Sequence, residues 1–163
     1  MSFDFLKSAK ELAQGFMLGG QAGPGMLQAR LQAVVDVGMP MRGRLYLFGS
    51  KWDPLNPSPA GPIDCSGLSR WCYYQGTALL IPEGSQAQYD SSDACPSPLN
   101  GDLGFFGAGG RIHHVGILAG QFVLEARGDN YGQVILRPRA IWEAWHEFTG
   151  WRRLWIVKRQ LGG

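Results

Sequence analysis

Apolar residues recur at helical spacing twice near the start of the chain. Between residues 3 and 17, Phe3, Phe5, Leu6, Ala9, Leu12, Ala13, Phe16 and Met17 form one stripe, closed by Gly19-Gly20. That spacing predicts a helix. A second stripe, Met26, Leu27, Leu31, Val34 and Val35, predicts another that ends near Gly38. The pattern then breaks. Residues 50–63 (SKWDPLNPSPAGPI) hold four prolines among Ser50, Asn56, Ser58 and Gly61, and must form a loop. From Cys65 to about Gly76 the helical period returns in Leu68, Trp71, Cys72 and Gln75, with Asp64 placed to cap the first turn.

After the turn Pro96–Gly101 the reading becomes strand-like. Leu103–Phe106, Ile112–Leu118, Phe122–Ala126, Val134–Leu136 and Leu154–Val157 are predicted strands, several separated by short glycine-containing turns. This suggests an antiparallel meander. A helix-rich first half before a strand-rich second half is an α+β pattern. Trp142, Trp145, Trp151 and Trp155 are expected in the core, where a C-terminal helix packs on the sheet. His146 is expected on the surface of that helix, and residues 159–163 are expected to fray.

Composition narrows the class. At 163 residues the chain suits one domain with its own core. Charged residues make up 17% and the net charge is +2, which excludes a strongly basic nucleic-acid binder. Gly is abundant, 24 residues, without a collagen period, so many tight turns are expected. No apolar run is long enough to span a membrane. Asp4, Lys7, Lys10 and Glu11 break any signal-peptide core, so no Sec leader is expected. Three cysteines, Cys65, Cys72 and Cys95, leave at least one thiol unpaired, and none has zinc-finger spacing.

The candidate chemistry sits in Asp64-Cys65-Ser66-Gly67-Leu68. A cysteine in the first turn of a helix faces unpaired N–H groups and the positive end of the helix dipole, which favour the nucleophilic thiolate. Cys72 and Cys95 have no such setting and read as core. His113 and His114 open a strand, and only one of them can face the helix start. A distant Cys–His pair oriented by a third polar group is a general arrangement for a cysteine nucleophile.

Several blocks, in order, resemble the NlpC/p60 superfamily of cell-wall cysteine peptidases. They are Tyr46-Leu47-Phe48-Gly49-Ser50, Asp64-Cys65-Ser66-Gly67-Leu68, Ile81-Pro82 with Ser85 and Gln88, Gly101-Asp102-Leu103-Gly104-Phe105-Phe106, and His114-Val115-Gly116-Ile117. The resemblance implies a papain-like α+β fold, with the nucleophile helix packed on a central antiparallel sheet. It divides the chain into an N-terminal helical extension, residues 1–40, and a peptidase domain, residues 41–163. It implies Cys65 as nucleophile, His114 as base and then acid, and His113 on the other face. The third polar residue falls at Glu125, where the family more often has His, Asn or Gln. A carboxylate there can accept the imidazole Nδ1 proton and favour the thiolate–imidazolium pair. Tyr46 would lie near the nucleophile. Asp64 and Ser66 would help bind the free amino terminus of a stem peptide, and the Cys65 N–H would hold the oxyanion.

The implied activity is a peptidoglycan endopeptidase that cuts stem peptides after D-γ-glutamate, with no metal or organic cofactor. Amidase or acyltransferase action on the same fold is the second reading. The third is a non-catalytic structural or wall-binding module of a phage tail. Without a leader the protein is expected to be made in the cytoplasm and to act on the wall as a phage endolysin or a tail-borne peptidase. Tail proteins are then possible partners.

Overall fold

The computed structural model describes residues 23–161. The predicted helix over 3–17 lies outside them. The described chain is α+β: five α-helices and a six-stranded antiparallel sheet in the order β1-β6-β2-β3-β4-β5. The strands are β1 (Ser92–Ala94), β2 (Leu103–Ala108), β3 (Arg111–Ala119), β4 (Phe122–Arg127), β5 (Gln133–Pro138) and β6 (Phe148–Leu154). Strands β2 to β5 form the expected meander. Gly109 and Gly110 alone span the β2–β3 turn, at φ 59° and 79°. Two successive positive φ values match a type I′ hairpin turn.

Helix α1 (Pro24–Gly38) follows the second predicted stripe and starts on a proline in its first turn. Its Leu27, Leu31, Val34 and Val35 are buried, each burial stabilising by about 1.5–3 kcal/mol. It crosses helix α2 (Cys65–Thr77) closely, because a Cβ at Gly76 would stand 2.8 Å from the Ala33 backbone. The described part of the N-terminal extension therefore belongs to the main core. Asp64 caps α2 by accepting from the Gly67 N–H at 2.8 Å. The helix runs past the predicted end to Ala78, which closes it in the left-handed region at φ 60°.

The 50–63 loop is stitched down rather than free. Trp71 donates to Asn56 O and Gln75 to Pro54 O, while Trp52 packs edge-on against Trp71. The loop leads into Ile63, which bridges to Tyr46. Tyr46 thereby sits beside the residues that open α2.

Both faces of the sheet are covered. Leu103, Phe105, Val115, Ile117, Leu124 and Ala126 belong to the main core with α1 and α2. Phe106, Leu118 and Val123, of opposite parity, form a smaller core with Trp142 and Trp151. Gly104 and Gly116 pair across β2 and β3. A Cβ on either would come within 2.9 Å of the Trp142 ring. The two glycines make the hollow that seats this indole.

Five expectations are corrected. Leu154–Val157 is not a strand: β6 ends at Leu154, and Trp155–Leu161 forms helix α5. Leu154, Val157 and Leu161 are buried at spacings of three and four, a helical period that a four-residue β-rich window hides. Residues 159–161 do not fray, since Leu161 is buried. The tryptophans divide: Trp142 and Trp151 are core, whereas Trp145 and Trp155 are more than 40% exposed. His146 is exposed, but in the turn after helix α4 (Arg139–Ala144), not on it. Cys95 is half-buried and outside both cores. Strand β1 and helix α3 (Ser85–Asp90) were not expected. They are too short and polar to carry a period, and β1 is an edge held by Arg152 on Ser92.

Candidate active site

Cys65 opens α2, so its amide and that of Ser66 have no carbonyl of a preceding turn to bind. Cys65 is near enough to His114 of β3 for its thiolate to favour a charged imidazole. The β3–β4 pairing stops at Ile117 and Leu124, and His114 lies in the part of β3 beyond it. His114 Nε2 lies 2.5 Å from Glu125 Oε2. The sequence placed Glu125 on Nδ1. Nε2 takes that contact instead, which leaves Nδ1 free of Glu125.

Glu125 is fully buried. A lone carboxylate in that setting would be costly, and its surroundings hold it as an anion. Trp142 Nε1 donates to Oε1 at 2.9 Å. Arg137 Nε sits 2.9 Å from the same oxygen, and an Arg127 nitrogen 3.6 Å from the other. Burial pushes the Glu125 carboxyl up, but His114, Trp142 and Arg137 outweigh it and leave it below the usual value. Burial likewise opposes a charged His114. Hydrogen bonds and charge from Cys65 and Glu125 prevail and raise it from 6.5 to about 9.

Of these side chains, His114 and Arg127 border an open cleft of about 320 Å³, lined also by Tyr46, Asp129, Trp145 and Glu147, among others. Tyr46 packs on Gly128, where a Cβ would stand 2.8 Å from the ring. Burial, with the charges of Cys65, Asp64 and Asp129, pushes the Tyr46 hydroxyl up to about 12. It is therefore a neutral donor near Cys65. His113 is exposed, on the cleft wall, 3.4 Å from Glu147. Asp64 and Ser66 both contact the Lys51 ammonium. Cys72 is fully buried, and burial raises its thiol far above the ordinary range.

Sequence reasoning gave no site role to Lys51, Arg127, Arg137 or Trp142. Gln88 belongs to the sequence block that begins at Ile81. It is fully buried, donates to Ser66 O and Pro82 O at 3.0 Å each, and accepts from Ser69 Oγ at 2.8 Å. It pins the first turn of α2. Among the described residues, no three His, Cys, Asp or Glu side chains gather to hold a metal. No helix among them is long and apolar enough to cross a membrane.

A buried Cys–His–carboxylate line at a helix start, facing a sheet, defines a papain-like class of site. The chain belongs to the NlpC/P60 family, whose profile matches residues 43–145. Among solved structures it is similar to an NLP/P60-family protein of Staphylococcus aureus described as similar to a lipoprotein. The two are 28% identical with a TM-score of 0.58, over 77% of this chain and 41% of that one. This chain thus spans less than half of that protein. It is also similar to the NlpC/p60 domain of the peptidoglycan hydrolase SagA, at 25% identity and a TM-score of 0.57, over 75% and 96% of the two chains. Its fold resembles that of RipD from Mycobacterium tuberculosis, described as a non-catalytic NlpC/p60 protein adapted to peptidoglycan binding. That match has 20% identity and a TM-score of 0.59, over 76% and 95%. No curated protein matches significantly.

Proposed function

We propose that the chain is a peptidoglycan hydrolase, a cysteine endopeptidase that cuts stem peptides between D-γ-glutamate and the diamino acid. The observation that carries this reading is the Cys65–His114–Glu125 line with its charged His114. Cys65 Sγ attacks the γ-carbonyl carbon, and the oxyanion forms against the Cys65 N–H, with Tyr46 as a second donor. The C–N bond breaks as His114 gives its proton to the leaving amine. The resulting thioester is attacked by water, whose proton passes to His114. The C–S bond then breaks and releases a γ-carboxylate. Glu125 is the orienting residue: it holds the imidazole throughout and stabilises its charge whenever His114 carries the second proton.

The likeness to RipD favours a second reading, a wall-binding module that does not cleave. An amidase or acyltransferase would share the thioester and differ in the bond cut or the acceptor. The phage setting, endolysin or tail-borne peptidase, remains a proposal carried by the sequence alone.

Digestion of purified peptidoglycan under reducing conditions, followed by mass spectrometry, tests these readings. New fragments with a free diamino-acid amine are expected from the wild type and not from Cys65→Ala. Free glycan with intact peptide points to an amidase. Identical fragment patterns from both proteins sink the enzymatic readings.

A further inference from the structure

Three large apolar side chains around Tyr46 stand in the open: Leu45 is 68% exposed, Leu47 55% and Phe48 84%. Their backbone is held firmly. On one edge the Gly43 N–H donates to Val134 O at 2.9 Å, the Val134 N–H to Arg44 O at 2.8 Å and the Tyr46 N–H to Gly132 O at 2.8 Å. On the other, the Ile63 N–H donates to Leu45 O at 2.9 Å and the Leu47 N–H to Ile63 O at 3.2 Å. The segment is thus extended and bonded on both edges, and its successive side chains alternate between faces. Tyr46 lines the cleft, so Leu45 and Leu47 share the opposite face. A turn closed by the Ser50 N–H on Leu47 O at 3.0 Å, with Gly49 at φ 81°, holds Phe48 at its corner.

Charge in this segment has one sign. Residues 39–51 hold Arg42, Arg44 and Lys51 and no acid. Lys51 is spent on Asp64. Arg42 and Arg44 are exposed and form no ion pair among the described residues. Apolar side chains fixed in water gain by leaving it, and an exposed apolar patch marks an interaction site. A polyanionic polymer would pair the arginines but leave Leu45, Leu47 and Phe48 wet. An anionic lipid surface takes both, since the apolar side chains enter the acyl boundary while the arginines meet the headgroups.

We propose that Leu45, Leu47 and Phe48, framed by Arg42 and Arg44, dock the protein on an anionic lipid membrane. The segment that gives Tyr46 to the cleft then also sets how the cleft meets that surface. Docking does not require Cys65 to cleave anything, so it stands or falls apart from the endopeptidase reading.

The test sediments the whole chain with vesicles of phosphatidylcholine alone, and with vesicles of phosphatidylcholine and phosphatidylglycerol in equal parts. The partition coefficient on the anionic vesicles is expected to be higher by about tenfold or more, the fold-change that about 1.4 kcal/mol produces. Leu47→Ser with Phe48→Ser should lower it by about tenfold or more. Arg42→Gln with Arg44→Gln should erase most of the preference for anionic vesicles. Circular dichroism checks that each variant folds. No binding to the anionic vesicles overturns the proposal, and so does equal binding to both kinds. So does a folded serine variant that binds like the wild type, because another surface then holds the lipid. An anionic preference unchanged in the glutamine variant overturns it as well. If the double serine variant does not fold, Phe48→Ser alone decides, since Phe48 is the most exposed of the three. Sedimentation equilibrium without vesicles covers a different occupant: self-association that the serine variant abolishes assigns the patch to a second copy of the chain and overturns membrane docking.

Discussion

Trp142 Nε1 donates to Glu125 Oε1 at 2.9 Å from a hollow floored by two glycines. The indole is fully buried and stacks on Phe106 at 4.1 Å between centroids. Its N–H is thus held in one direction. Trp142→Phe keeps most of the ring and removes the donor. Leaving the buried carboxylate one hydrogen bond short should cost about 1–3 kcal/mol of stability, with a fall in kcat as His114 loses its fixed partner. Denaturant midpoints and peptide cleavage measure the two effects.

The floor itself makes a second prediction. At Gly116 a Cβ would stand 2.6 Å from Val123 Cγ1 and 2.7 Å from Trp142 Cζ2. Gly116→Ala should destabilise by about 1–3 kcal/mol through overpacking and lower activity by moving Trp142. Gly25→Ala is the control: it lies in α1 with nothing within 4 Å. It should raise stability by up to about 1 kcal/mol, as Ala for Gly does in a helix. Thermal melts of both proteins check the contrast, and equal melting temperatures would refute it.

The pH dependence has a defined sign. His114 titrates at about 9 in the fold, against 6.5 ordinarily. The stability it contributes is complete below pH 6.5 and is lost as pH rises through about 9. Activity that needs the imidazolium falls over the same alkaline limb. Glu125→Gln removes the carboxylate charge, so His114 loses its proton earlier and the limb moves to lower pH. A pH–rate profile whose alkaline limb stays in place would remove Glu125 from the charge pairing.

Asp102 is fully buried and held by Arg153 through two hydrogen bonds, 2.8 and 2.6 Å. It also accepts from the Leu99 N–H at 2.8 Å. It does not line the cleft. Asp102→Asn should cost about 3 kcal/mol, as breaking a buried pair does, while kcat per folded molecule stays unchanged. Chemical denaturation beside active-site titration separates the two.

Much was legible in the sequence because it is local. Asp64 as cap, the helix from Cys65, the Gly109-Gly110 turn and the β2–β5 meander follow from period, capping and turn chemistry, which act within a few residues. The Cys65, His114 and Glu125 candidates were legible as residue types in recognisable blocks. The rest depends on contacts far apart in the chain. Lys51 reaches Asp64 only because the 50–63 loop is pinned to α2. Trp142 reaches Glu125 only because two glycines on neighbouring strands leave a hollow there. No period in the sequence encodes which imidazole nitrogen meets Glu125, or that Arg127 and Arg137 keep it charged. Backbone preference sets the elements, but burial and electrostatics across the fold decide what their side chains can do.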